Sequence, residues 1–110
     1  MEKVCVFLAD GFEEGEALIP VDLLRRAGAE VTTASTSLCV QGSHGITVTA
    51  DALAENVPLE EYGMVVLPGG LRGTQNLSQS ALVKRAVLAF ARQGKWVAAI
   101  CAAPGLLGEW

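Results

Sequence analysis

Residues Trp96–Ala103 read WVAAICAA, and they restrict the fold more tightly than any other stretch. Trp96, Val97, Ala98, Ala99 and Ile100 form a continuous apolar run, the pattern of a short strand covered on both faces. Cys101 follows at its carboxyl end, with Ala99 two residues before and Ala103 two residues after. A strand–nucleophile–helix turn needs small residues at those two places, because its backbone bends too sharply for larger side chains. Such a turn lifts the thiol above the sheet edge and aims the N–H groups of the next helix at the sulfur, which favours thiolate. A buried, inert cysteine at the end of an alanine-rich strand fits the same residues, so this stretch alone leaves both readings open.

The remaining chain alternates strand and helix patterns. Lys3–Ala9 predicts a first buried strand, with Cys5 as a small core residue. Asp10-Gly11 breaks it, and Ala17, Leu18, Val21 and Leu24 then recur at helical spacing up to a stop at Gly28. Pro20 has no N–H for the carbonyl of Glu16, so the first turn, where Glu13, Glu14 and Glu16 gather, is expected to be frayed or kinked. Glu13 and Glu14 read there as partners of the helix dipole. Glu30–Ala34 is the second strand, which makes a right-handed β-α-β unit and a parallel sheet. Leu38–Val40 and Ile46–Thr49 predict a hairpin with His44 at its tip, an exposed loop residue or, alternatively, a dimer contact. Asp51–Pro58 reads as a short helix or irregular link. Tyr62–Leu67 is the next buried strand and runs into Pro68-Gly69-Gly70-Leu71-Arg72-Gly73, glycines that let the backbone approach a ligand or a neighbouring loop. The loop lacks both Gly-x-Gly-x-x-Gly and the P-loop Lys-Ser/Thr, which argues against a nucleotide. Ser78–Gly94 is the clearest helix, with Ser78 or Ser80 as its cap, and Pro104 opens a last one.

Composition narrows the function. A net charge of −4 without a Lys/Arg cluster gives no electrostatic case for nucleic acid or an anionic membrane. No apolar run approaches the roughly 18 residues of a membrane span, and the N-terminus matches neither a signal nor a transit peptide. Three cysteines, none at metal-ligand spacing, and a single histidine predict free thiols, a reducing cytoplasmic setting and no metal site. The whole of 1–110 reads as one α/β domain with a mostly parallel sheet. Ligands of such sheets sit beyond the carboxyl ends of the strands. The acidic turn after the first strand, the Pro-Gly-Gly turn and Cys101 all map to that edge, which favours a functional thiol.

The combination ADGFEEGEALIPVDLLRRAG, VVLPGG and AAICAAP resembles the ThiJ/PfpI superfamily, most closely the branch of the parkinsonism-associated protein deglycase and its bacterial ThiJ-like relatives. The resemblance covers essentially the whole chain. It implies a flavodoxin-like three-layer sandwich, usually a homodimer, that works without a cofactor. It implies that Cys101 is the nucleophile and that Glu16 hydrogen-bonds its sulfur. The backbone amides of Gly70 and Ala102 would then form an oxyanion hole, with Gly69 shaping the turn. A carboxylate beside a thiolate is unfavourable, so Glu16 is expected to keep its proton and donate to sulfur. Members of the family continue beyond the length seen here and carry a site histidine in that later part. The domain is therefore expected to be truncated after the nucleophile turn, its sheet incomplete and unstable alone, with the missing portion, as a separate chain, among its partners. Peptidase-like members have histidine directly after the cysteine, where Ala102 stands. The implied function is glyoxalase or deglycase chemistry on a small α-oxoaldehyde or its adducts. The alternative is a redox sensor or stress chaperone in which Cys101 is oxidised without turnover.

Overall fold

In a computed structural model, residues 2–100 and 103–110 are described. Strand β1 (Lys3–Phe7) is the centre of a five-stranded sheet. On one side it pairs with β2 (Glu30–Ser35), which pairs in turn with the short β5 (Ala52–Leu53). On the other it pairs with β6 (Met64–Leu67), and β6 with β7 (Trp96–Ala99). All four pairings are parallel. The hairpin of β3 (Cys39–Gln41) and β4 (Thr47–Thr49) stands apart as an antiparallel pair in the register Cys39↔Thr49.

The period-two alternation of β1 sorts its side chains into two cores. Val4 and Val6 pack with Val31 against Ala17 and Val21 of α1 (Glu14–Arg26). Cys5 and Phe7 pack with Val65 and Leu67 against Val83, Val87 and Phe90 of α3 (Ala81–Arg92). Helix, sheet and helix thus form the three layers of a flavodoxin-like α/β sandwich. Burial pushes the Cys5 thiol up to about 12, so it stays a neutral packing group. Among the described residues no helix is long and apolar enough to cross a membrane.

Four expectations need correction. The first turn of α1 is not frayed: the helix is continuous from Glu14 through Pro20 to Arg26. Glu13 secures its start, accepting from Gly15 N–H through its side chain (3.2 Å) and from Ala17 N–H through its carbonyl (3.1 Å). Proline removes only the one bond to Glu16 C=O. Secondly, β7 is not covered on both faces. It is the edge of the sheet, paired only with β6 among the described residues, and Trp96 is 73% exposed. Thirdly, the segment after the glycine turn is a helix, α2 (Leu71–Ser78), where only a loop was foreseen. Fourthly, the link over 51–58 holds the short helix foreseen, a 3-10 turn at Ala54–Asn56, but also a strand that was not foreseen, β5. Asp51 anchors it: its Oδ2 accepts from Thr33 N–H (2.9 Å) and from Arg25 (2.8 Å). The last helix, α4, spans Pro104–Glu109 with proline in its first turn, as foreseen.

Candidate active site

Two loops meet at the carboxyl ends of β1 and β6, and they meet backbone to backbone. Glu13 N–H donates to Gly69 O (3.1 Å), and Gly73 N–H donates to Gly11 O (3.1 Å). Asn76 Nδ2 adds a bond to Asp10 O (2.7 Å). Gly70 has φ +92°, and a Cβ placed on it would lie 2.6 Å from Gly11 O and 2.7 Å from Glu13 N. The glycines therefore serve close approach to a neighbouring loop, one of the two uses the sequence left open. Gly69 is buried in the same turn. The Gly70 N–H, half-exposed ahead of α2, makes no hydrogen bond among the described residues.

Glu16 projects from the first turn of α1 into a shallow cleft of about 380 Å³ that it shares with Glu13, Ile19, Pro20 and Ile100. Its Oε1 is buried and has no hydrogen-bond partner among the described residues. A buried polar atom left in this state is costly, and Thr74 Oγ1 is the other such atom among the described residues. Cys101 and Ala102 lie outside the described residues. Their neighbours are fixed: Ile100 N–H donates to Leu67 O (3.2 Å), and the buried Ala103 donates from its N–H to Ile100 O (3.1 Å). The residue preceding Cys101 thus stands in the same cleft as Glu16.

The second acid of the turn has a role that sequence reasoning missed. Glu14 is only 6% exposed. Its Oε2 accepts from the N–H groups of His44 (2.8 Å) and Ile46 (3.2 Å), while its Oε1 lies 3.1 Å from His44 Nδ1. It is a clasp that holds the β3–β4 hairpin tip onto α1, and any side chain at Gly42 would overlap its carboxylate. Burial alone would push the Glu14 carboxyl up. Its own N–H and that of Ile46, then the His44 ring and N–H, outweigh burial and hold it at about 2. Hydrogen bonding by Glu14, then the charges of Glu13 and Glu14, pull His44 above its ordinary value. A signal existed only in part: EEGE announces a capped helix, but the hairpin tip lies some thirty residues away.

The sign of the pH dependence follows. The stability that Glu14 contributes is fully present above its ordinary 4.5 and is lost as pH falls through about 2. The contribution of His44 is present below 6.5 and lost as pH rises through its raised value. Urea midpoints measured between pH 5 and 2.5 are expected to fall more steeply in the wild type than in Glu14→Gln; parallel slopes would remove the clasp from the account.

Glu13, Glu14 and His44 bring potential ligand atoms within 4.8 Å of one another, the one such group among the described residues. The sequence expectation of no metal site rested on spacing, and spacing cannot see a cluster assembled across two elements. Here His44 Nδ1 hydrogen-bonds Glu14 Oε1 (3.1 Å) and lies 3.4 Å from Glu13 Oε2.

The sequence profile described as the DJ-1/PfpI family matches residues 2–110. The chain belongs to the DJ-1/PfpI family. It is 41% identical to the Parkinson disease protein 7 homolog of Danio rerio over 109 residues, covering 96% of this chain and 58% of that protein. To protein DJ-1 homolog B of Arabidopsis thaliana it is 38% identical over 112 residues, covering 99% of this chain and 26% of that one. The structure of oxidized DJ-1 from Toxoplasma gondii superposes with a TM-score of 0.92 at 41% identity, over 96% of this chain and 59% of the other. The DJ-1/PfpI chain described here therefore spans between about a quarter and three-fifths of the length of these relatives.

Proposed function

We propose that this DJ-1/PfpI chain carries the thiol half of a cofactor-independent enzyme acting on α-oxoaldehydes or their adducts. The observation that carries the reading is the buried Glu16 Oε1, without a hydrogen-bond partner among the described residues, in the cleft that Ile100 lines, one residue before Cys101. In this reading the Cys101 sulfur attacks the aldehyde carbon of a substrate such as methylglyoxal, forming a C–S bond. The N–H groups of Gly70 and Ala102 hold the resulting oxyanion, and Gly69 shapes the turn that presents the first of them. Glu16, as a carboxylic acid, hydrogen-bonds the sulfur and gives its proton to the oxyanion. As the resulting carboxylate it takes the proton from the former aldehyde carbon and returns it to the neighbouring carbonyl carbon, and the hydroxyl proton passes back to the carboxylate as the thioester forms. Water then cleaves the C–S bond, restores the thiol and releases the hydroxy acid. Deglycation is the same chemistry entered from the adduct. The domain of 1–110 would be completed by a later portion, as a continuation or a separate chain, that brings a histidine to the site, and the assembly would work as a cytoplasmic homodimer.

A second reading has one observation in its favour: a solved relative at 41% identity, the DJ-1 of Toxoplasma gondii, is an oxidized form. In that reading Cys101 is oxidised to sulfinate, which Glu16 holds by hydrogen bonding, and no substrate turns over. The deciding experiment measures lactate formed from methylglyoxal by the wild type and by Cys101→Ala, the chain being joined to whatever completes it. Turnover lost in the variant is the expected result, and turnover retained there overturns the thiol mechanism. No turnover in the wild type, with peroxide adding two oxygens at Cys101, selects the second reading.

A further inference from the structure

Another opening at the carboxyl edge of the sheet lies above the ends of β1 and β2 and encloses about 400 Å³. That is the small end of the range for small-molecule sites. Its floor is apolar, built from Phe7, Ala34, Leu77 and Val83. Its wall is rich in hydrogen-bond donors. Arg72 stands there and forms no ion pair among the described residues. The stem of Arg72 runs close against the backbone of Gly11, and this exposed residue also borders a further opening under the hairpin tip.

The hydroxyls on the wall have protons to give. Ser80 Oγ already accepts from Val83 N–H (3.2 Å), which turns its own proton elsewhere. Asn76 uses one amide N–H on Asp10 O and keeps the other. Ser35 is 5% exposed, borders the cavity, and its hydroxyl has no partner among the described residues. The one acid on the wall, Asp10, is engaged through Oδ1 by Gln41 N–H (3.0 Å). An apolar floor under a cation and several donors, with its lone carboxylate already engaged, suits an acceptor-rich anionic group on a small organic body.

We propose that this cavity is a binding site for a small phosphorylated or carboxylated molecule, with Arg72 holding its anionic group and Ser35, Asn76 and Ser80 orienting it. The site shares no lining residue with the Glu16 cleft and does not depend on the thiol chemistry. It also explains why an arginine stands in the second position of α2, where a basic side chain opposes the helix dipole.

Amide chemical shifts of the labelled protein, titrated with inorganic phosphate and separately with acetate, test the proposal. Saturating shifts confined to Ser35–Ser37, Arg72, Asn76 and Ser80 are expected with at least one anion, and the tighter of the two assigns phosphate or carboxylate. Arg72→Ala, at an exposed helix position, should weaken that binding by roughly tenfold or more, Arg72→Lys by less, and Arg85→Ala on the outer face of α3 not at all. Shifts that are absent, that scatter over surface lysines, or that persist unchanged in Arg72→Ala would overturn it.

Discussion

Gly70→Ala is expected to cost about 3 kcal/mol or more of folding stability. Two terms add. The backbone at Gly70 has φ +92°, a region that costs an L-residue roughly 1–2 kcal/mol. The new methyl would also meet Gly11 O at 2.6 Å and Glu13 N at 2.7 Å. Both are backbone atoms tied into the loop contact by Glu13 N–H to Gly69 O and Gly73 N–H to Gly11 O, so no side chain can rotate away. Relief requires separating the two loops and giving up those bonds. Gly28 supplies the control: its φ is +96°, but nothing lies within 4 Å of a Cβ there. Gly28→Ala should therefore show the backbone term alone, about 1 kcal/mol. Urea unfolding of both variants checks this, and equal losses would mean that the contact between the loops contributes nothing.

Glu16→Gln is expected to lower kcat for methylglyoxal by about 10²- to 10⁴-fold with little change in stability. The dissociation between the two readouts is the informative part. Oε1 makes no hydrogen bond among the described residues, so an amide of the same shape breaks no contact of the resting fold. What it removes is the ability to give and take a proton. Glu14→Gln is the opposite case: that side chain is held by His44 and Ile46, and its loss should appear in stability against pH. An unchanged kcat in Glu16→Gln, at unchanged stability, would take the proton relay away from this residue.

The elements legible in the sequence were those with a strong local period or a local stop signal. β1 and β6 declare themselves by continuous apolar runs, α1 and α3 by helical spacing, and Gly28 and Gly94 mark helix ends with positive φ. The hairpin followed from two β-like runs around Gly42 and Gly45. What stayed hidden depended on partners distant in sequence. β5 is two residues long and exists because β2 offers an edge, with Asp51 fastening it to Thr33. α2 begins with a glycine-containing, largely polar run, LRGTQNLS, whose helical state is fixed by Gly73, Thr74 and Leu77 turning inward. The exposure of Trp96 could not be read from an apolar run, because burial of an edge strand is decided by what lies beside it.

The acidic turn shows the same limit within four residues. Glu13, Glu14 and Glu16 look alike in the sequence, and the fold gives them three different surroundings: a helix cap, a clasp on the hairpin tip, and a cleft beside Ile100. The resemblance to the family drew attention to Glu16 by motif position. Packing shows that Glu14 is already engaged, while Glu16 Oε1 has no partner among the described residues.

The most direct test of the Cys101–Glu16 pair is the rate of Cys101 alkylation by iodoacetamide against pH, followed at that residue by peptide mass spectrometry in the wild type and Glu16→Gln. Cys5, pushed up to about 12 by burial, serves as the unreactive internal reference. The account predicts that the midpoint for Cys101 rises when Glu16 is replaced, because a weaker amide N–H takes the place of the carboxylic O–H as donor to the sulfur. Superimposable profiles would show that the carboxyl group does not touch the thiol, and the proposed mechanism would fall with it.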